Sequence, residues 1–459
     1  MSLDLKGPAG LLEPVRTREQ LIDYIRAGEK PRSAWRVGVE HEKIGVVLAT
    51  LQAVPYYGDS GIRSLLDALA REAGGLQHQH KENGQPIAVL KNEASVTLEP
   101  GGQLELSGAP VRTLAAARDE IERHLEVLRR ESEKRGVAWL GTGYRPFGSR
   151  DEVPWMPKGR YAAMRKSLGA RGRLALDMML MTATVQTNLD WSDERDLAEK
   201  ARASTAVSSI VSALFANSPI AGGRPGEHLD FRYQVWRECD PDRCGLLEPM
   251  WRDGFGYEAY VDWALKVPML FVRRGSEYVD AQGQTFGDWL RTGRLRGGEV
   301  AQPLLTNWVD HLTTLFPEVR IKHVLELRGA DMVPPPLLHS LAALWVGVLY
   351  DAQARTAAWE LTKAWSFGEL LEFQGEVARR ALHARGPDGR TARELARPLV
   401  GIARKGLLAW SAESGEDARR FLDPLDDVLD RGTLAERAIS TFQAAGGDPR
   451  ALIGFWQVA

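Results

Sequence analysis

The residues able to do chemistry are acids set at every second position of short strand-like segments. In the segment VGVEHEKI at 37–44, period-two alternation puts Glu40 and Glu42 on one face and Val37 and Val39 on the other. In Gln103–Ser107, Glu105 shares a face with Gln103, opposite Leu104 and Leu106. In Val324–Arg328, Glu326 and Arg328 share a face, opposite Leu325 and Leu327. Glu99 stands just before a tight-turn sequence, Pro100-Gly101-Gly102, and could point into the same space. A carboxylate on a half-buried strand is costly unless it is paired or bound to metal. Several on one face repel, and hard divalent cations such as Mg²⁺ or Mn²⁺, shared with nucleotide phosphates, relieve that repulsion. The rival reading makes each face the wet side of an antiparallel sheet, where glutamate is ordinary.

Phosphate chemistry also needs cations. MPKGRYAAMRKSLG supplies Lys158, Arg160, Arg165 and Lys166, DFRYQVW supplies Arg232 with neighbours on alternating faces, and Arg328 lies two residues from Glu326. Guanidinium forks grip carboxylate or phosphate. The rivals are a solvated basic helix face for 158–166 and a plain salt bridge between Arg328 and Glu326. Other chemistries lack support: there is no GxxxxGK[ST], no GxGxxG after a strand and no GxSxG. Alternation turns His41 away from Glu40 and Glu42, and H-E-K is not H-E-x-x-H. Cys239 and Cys244 have no cysteine or histidine partners nearby, which argues against zinc. Inert thiols are the default, with a reversible disulfide as the alternative.

The elements that must position these groups are read from periodicity and punctuation. Helices are predicted at 17–27, 61–73, 113–135, 193–216, 257–266 and 306–316, with a short one near Tyr161–Ser167. Strands are predicted through WRVGVEHEKIGVVL (35–48), at Pro86–Leu90, Ser95–Glu99, Gln103–Ser107 and 268–273, and through RIKHVLELRGAD. LALDMMLMTATVQTNLDW reads as one alternating stretch, with Thr184, Gln186 and Asn188 on a polar face. Residues 141–173 read as a long ligand-binding loop. From Pro336 onward the chain is mostly helical. The expected organisation is an α+β catalytic body at 1–335 with a helical C-terminal layer at 336–459 in the same compact unit.

Composition narrows the partners. The 459 residues carry 59 Lys and Arg against 61 Asp and Glu, a formal charge of −2, which argues against a nucleic-acid binder. No run approaches 18 apolar residues, so no membrane span is expected. The opening MSLDLKGPAG has neither a basic n-region nor an apolar h-region, and two cysteines rule out a disulfide scaffold. The expectation is cytoplasmic residence.

Taken together, GVEHEKIG (38–45), LEPGGQLELSGAP (98–110), MPKGRYAAM (156–164), TATVQTNLD (182–190), NSP (217–219), FRYQVW (231–236), DPDRCG (240–245) and LELRGAD (325–331) resemble glutamate–cysteine ligases of the plant and proteobacterial type. The matches run in order through roughly residues 35–335. The resemblance implies a glutamine-synthetase-like catalytic fold, with an antiparallel sheet forming a cup inside surrounding helices. It implies ATP-dependent ligation of the L-glutamate γ-carboxylate to the L-cysteine amine through γ-glutamyl phosphate, the first step of glutathione synthesis. ATP and Mg²⁺, or Mn²⁺, are the implied cofactors. Glu40, Glu42, Glu105 and Glu326 match the family's metal-ligand glutamates, and Glu99 is a fifth candidate. Arg328 matches the arginine contacting phosphate, so Arg328 and Glu326 are the catalytic candidates. Arg232 matches the clamp on substrate glutamate, Gln186 and Asn188 lie on a pocket-lining strand, and Lys158, Arg160 and Arg165 lie in the closing loop. The implied partners are glutamate and cysteine, with no nucleic acid or membrane, on a monomer or homodimer. The plant enzymes use paired cysteines for redox control. Only Cys244 sits in a familiar neighbourhood here, so that control is not carried over. A relative joining glutamate to another amine would keep the same metal and ATP residues.

Overall fold

Alternating segments in the first third of the chain pair into one antiparallel sheet, seen in a computed structural model that describes residues 11–72, 78–91, 93–275 and 277–459. The opening 1–10 and Ala73, at the end of the expected second helix, lie outside the described residues. Nine strands form the sheet: β1 (Val37–Val47), β2 (His78–Glu82), β3 (Gln85–Lys91), β4 (Ala94–Leu98), β5 (Leu104–Ser107), β6 (Val137–Leu140), β7 (Val185–Leu189), β8 (Val319–Ile321) and β9 (Leu325–Leu327). Their spatial order is β8-β9-β7-β1-β5-β4-β3-β2, with β6 paired to the far end of β1. All of these pairings are antiparallel.

The expected cup is not formed. Among the described residues no sheet closes on itself, and the two end strands, β8 and β2, do not pair. Closure requires those edges to exchange hydrogen bonds. Here β8 has three residues, and the β2–β3 register is broken between His80 and Lys81. The fold is therefore α+β around an open, mostly antiparallel sheet, with helices and loops over the polar face.

The back face is covered, and it is mostly apolar, with His41 and Lys43 buried in it. Helices Leu114–Glu133 and Leu337–Leu349 pack behind β1, and the second of these also lies against β7. All thirteen residues of Leu337–Leu349 are buried, which suits a helix apolar around its whole circumference. The C-terminus returns to the sheet: Ala459 O accepts from Trp139 N at 2.7 Å, and the Trp456 indole donates to Asn217 Oδ1 at 2.8 Å.

Three local readings change. LALDMMLM is a helix, Ala175–Met181, and only Val185–Leu189 is strand, because Leu and Met run contiguously there and prefer a helix when buried all round. FRYQVW is also helical, Phe231–Arg237, capped by Asp230, whose side chain accepts from Tyr233 N. RIKHVLELRGAD holds two strands rather than one, folded into the β8–β9 hairpin.

The Glu99–Gln103 turn is tight: Gly102 N donates to Glu99 O at 2.9 Å, and Gly102 has φ +79°. A Cβ on Gly101 would sit 2.2 Å from Leu180 O, a backbone atom that cannot step aside. Gly101→Ala is expected to cost about 2–3 kcal/mol of stability, read as a lower denaturant midpoint at unchanged slope.

Candidate active site

The site is assembled by strand register. Directly opposed residues in antiparallel strands share a face. Glu42 faces Glu105 across β1–β5, Glu40 faces Gln186 across β1–β7, and Glu326 faces Asn188 across β9–β7 and Arg320 across β9–β8. One polar face thus carries Glu40, Glu42, Glu105, Gln186, Asn188, Glu326 and Arg320. His41 lies on the other face with Lys43, whose ammonium sits 3.3 Å from His41 Nδ1 and 3.1 Å from His124 Nε2.

The central acids are held by neutral donors. Glu40 accepts from Asn188 Nδ2 at 2.8 Å, and Glu105, fully buried, accepts from Thr97 Oγ1 at 2.9 Å. Glu42 accepts from Thr184 N at 3.1 Å. Burial, and then the charges of Glu99 and Glu105, push the Glu42 carboxyl up to about 8. Burial, with Glu105 and Glu326 adding to it, raises Glu40 as well. Glu99 keeps a buried Oε1 with no hydrogen-bond partner. Burial and mutual repulsion thus raise Glu40 and Glu42, while a hydrogen bond with Glu40 helps to hold Glu105 low against its burial.

Glu326 differs. Its oxygens accept from Arg320 Nε at 3.1 Å and Arg320 Nη2 at 2.5 Å, from Arg328 Nη1, and lie 2.8 Å from Lys322 Nζ. Burial works against ionisation, yet Arg320, Lys322 and Arg328 outweigh it and hold the carboxyl well below the usual range. Arg328 Nη1 also donates to Gln186 Oε1 at 2.6 Å. The salt-bridge reading of Arg328 is therefore realised, inside a cluster of three cations around one acid.

Short helices roof the polar face. Arg160 and Met164 come from Gly159–Gly169, Met178 and Met179 from Ala175–Met181, and Arg232 and Trp236 from Phe231–Arg237. With Glu42, Glu99, Thr184, Gln186, Arg320 and Arg328 they enclose a cavity of about 60 Å³. Arg232 is 2% exposed, donates to Gly329 O and Arg328 O, each at 3.0 Å, and keeps a buried Nε without a partner. Trp236 lies near both guanidiniums, its ring centroid 5.8 Å from Arg232 Cζ and 5.9 Å from Arg328 Cζ. Lys158 is buried against Leu98 O at 3.0 Å, and burial lowers it to about 8. Arg165 is not part of this enclosure: it is exposed and stacks on Trp155.

The family follows from comparison with known proteins. The model of glutamate-cysteine ligase family 2 matches residues 36–453. The chain is 39% identical over 434 residues to the chloroplastic glutamate–cysteine ligase B of Oryza sativa subsp. japonica, covering 94% of this chain and 85% of that one. It is 40% identical over 437 residues to the chloroplastic enzyme of Arabidopsis thaliana, covering 95% and 81%. This chain belongs to glutamate-cysteine ligase family 2. It is an enzyme of the ligase class. Among solved structures, a bifunctional glutathione synthetase from Pasteurella multocida has a similar fold, with TM-score 0.52 at 13% identity, over 95% of this chain and 53% of that one.

The family relatives correct one expectation. Those matched are chloroplastic ligases, which overturns the cytoplasmic assignment drawn from the opening residues. A leader is read by import machinery and is no part of the folded catalytic body, so the motifs carried no information on compartment. Among the described residues, no helix is long and apolar enough to cross a membrane.

Arg320, Lys322 and Trp236 are site residues that sequence reasoning passed over, while Thr184 was placed on the polar face without a role. Arg320 was readable in principle: a turn within IKHV pairs it with Glu326, whereas a single strand through RIKHVLEL separates them. Cys239 and Cys244 are free thiols in hydrogen-bond contact, and that contact, followed by burial, raises the Cys239 thiol.

Glu42 gives a pH prediction. Its carboxyl titrates higher folded than unfolded, where about 4.3 is usual, so its contribution to stability is full below about 4.3 and is lost as pH rises through about 8. In metal-free protein, Glu42→Gln is expected to flatten this decline and to melt above the parent at pH 8, measured by denaturation across pH 4–9.

Proposed function

We propose that this enzyme joins the γ-carboxylate of L-glutamate to the amine of L-cysteine at the expense of ATP, through γ-glutamyl phosphate, as the first step of glutathione synthesis. The observation that carries this reading is the division of one sheet face into an acid zone (Glu40, Glu42, Glu99, Glu105) beside a cation zone (Arg232, Arg320, Lys322, Arg328). A carboxylate and a triphosphate brought together repel, and such a surface can hold both at once. Family membership supports the substrates and the ATP dependence.

Among the described residues, no three histidine, cysteine or acidic side chains converge into a ready metal cage. The donor set still suits Mg²⁺, or Mn²⁺, because such ions take one or two carboxylates and complete their shells with water and phosphate oxygens. The orphaned Glu99 oxygen and the raised Glu40 and Glu42 carboxyls fit that need. Glu40, Glu42, Glu99 and Glu105 would hold the ion, which supplies neutralisation of the phosphates and of the acids themselves.

In this reading the phosphoryl group passes from ATP to a γ-carboxylate oxygen, and the amine then displaces phosphate at the acyl carbon and loses a proton. Arg232, with its unpartnered Nε, clamps the glutamate substrate, and Arg160 contributes from the roof. Arg328 and Lys158 face the phosphates, and Gln186 orients Arg328. Asn188 fixes Glu40. Arg165 acts only if the 159–169 helix moves inward. For Glu326 the role changes: with three cations on its oxygens it organises Arg320 and Arg328, where the motif alone suggested a metal ligand. We assign the catalytic body to 1–335 and a bracing role to 336–459.

The test is ATP-dependent product formation with Mg²⁺, glutamate and a panel of amines (cysteine, 2-aminobutyrate, alanine, glycine), read by mass spectrometry. Selection of cysteine with a γ-glutamyl dipeptide product is expected. ATP turnover with a different preferred amine would move the acceptor. Arg232→Lys keeps the charge but loses the fork and is expected to raise the glutamate KM by about 10–100-fold with the ATP KM unchanged. Glu326→Gln is expected to cost about 3–5 kcal/mol in metal-free protein as well as turnover, because it leaves buried cations uncompensated. Unchanged melting of that variant would return Glu326 to metal binding.

A further inference from the structure

A second cavity, of about 300 Å³, opens beyond the far end of β1, between Thr50–Ala53, the 145–153 loop and the Gly222-Gly223 turn, with Pro449 at its rim. It shares no lining residue with the acid-lined pocket. Its volume is roughly ten times that of a water molecule and reaches the range of small-molecule sites.

Arg145 lies in its wall. The side chain is 2% exposed, yet among the described residues no carboxylate pairs with it. Nη1 donates to Gly45 O at 3.1 Å, and Nε is buried with no partner. Burial lowers the guanidinium to about 10, with only the Tyr144 hydroxyl opposing, so it stays cationic at neutral pH. A buried, unpaired cation costs several kcal/mol, and a guanidinium carries five donors of which one carbonyl satisfies little. The one acid in the wall, Glu152, is engaged by Ser149, accepting from its N at 2.6 Å and its Oγ at 3.2 Å. Gly222 and Gly223 both have positive φ, and a Cβ on either would meet open space, so their turn leaves the cavity clear.

We propose that this cavity binds a small molecule through an oxyanion, carboxylate or phosphate, held by the Arg145 guanidinium in its wall. The bound group supplies the counter-charge that the fold withholds. The backbone of Arg145 donates to Met181 O at 2.7 Å, next to Thr182 of the acid-lined pocket, so the two cavities share one wall.

The experiment is calorimetric titration of the full chain with inorganic phosphate and with malonate, against chloride at constant ionic strength. The parent is expected to show one saturable site, tighter for phosphate if the ligand is a phosphate ester and tighter for malonate if it is a carboxylic acid. Arg145→Lys, which keeps the charge and loses the fork, is expected to weaken that binding at least tenfold. If that variant does not fold, Gln52→Trp, which plugs the cavity from an exposed position, decides in its place with the same expected loss. No saturable binding of either anion to the parent overturns the proposal. So does parent-like binding in the deciding variant, including binding that only Arg232→Lys removes, which would put the anion in the acid-lined pocket.

Discussion

Like charges facing each other across β1 and β5 set the terms for the rest of the molecule. The register that opposes Glu42 to Glu105 also buries Glu105 completely and places Glu40 one residue pair away. Neutral donors (Asn188, Thr97, the Thr184 amide) hydrogen-bond these carboxylates. Burial first, and this repulsion after it, raise the Glu40 and Glu42 carboxyls. The contrast between Glu40 and Glu42, raised by burial, and Glu326, held low by three cations on the same sheet, is what makes this surface a site.

The supporting structure answers that constraint from behind and above. On the back face, Lys43 lies beneath the acids, lowered by burial to about 7 although Glu105 and Glu42 pull it upward. His41 and His124 contact it, and helix Leu114–Glu133 holds it in place. Above the polar face, Arg232 and Arg328 are positioned by carbonyls, by Gln186 and by the Trp236 ring near both. The roof consists of short helices whose side chains line the cavity over the sheet. An open sheet can take such a roof, whereas a closed barrel would fill its interior with its own side chains.

Legibility in the sequence followed the range of the interaction. Strands β1, β4 and β5 and the Glu99–Gln103 turn were readable, because period two and the Pro-Gly-Gly turn are local signals. Helices Tyr257–Lys266 and Glu194–Leu214 were equally plain. The stretch at 175–189 was not, since a buried Leu-Met run supports helix or strand and only its neighbours arbitrate. Arg232 was found by type and motif but on the wrong element. Arg320 and Lys322 were missed because they reach Glu326 only through a hairpin that the unbroken hydrophobic pattern conceals. The curvature of the sheet was overstated, since a motif names residues and says nothing of whether two edge strands meet.

Which side chains share the polar face was determined by the sequence itself, because alternation along a strand is a property of the backbone and needs no partner. Family membership was equally present in the ordered motifs. Tertiary structure alone decided how those side chains divide the work. Charge compensation depends on distances between residues far apart in the chain, and strand register sets those distances. Register brings Glu326 among three cations, sets Glu42 beside Glu105, and leaves Arg145 in the wall of a second cavity with no carboxylate paired to it among the described residues.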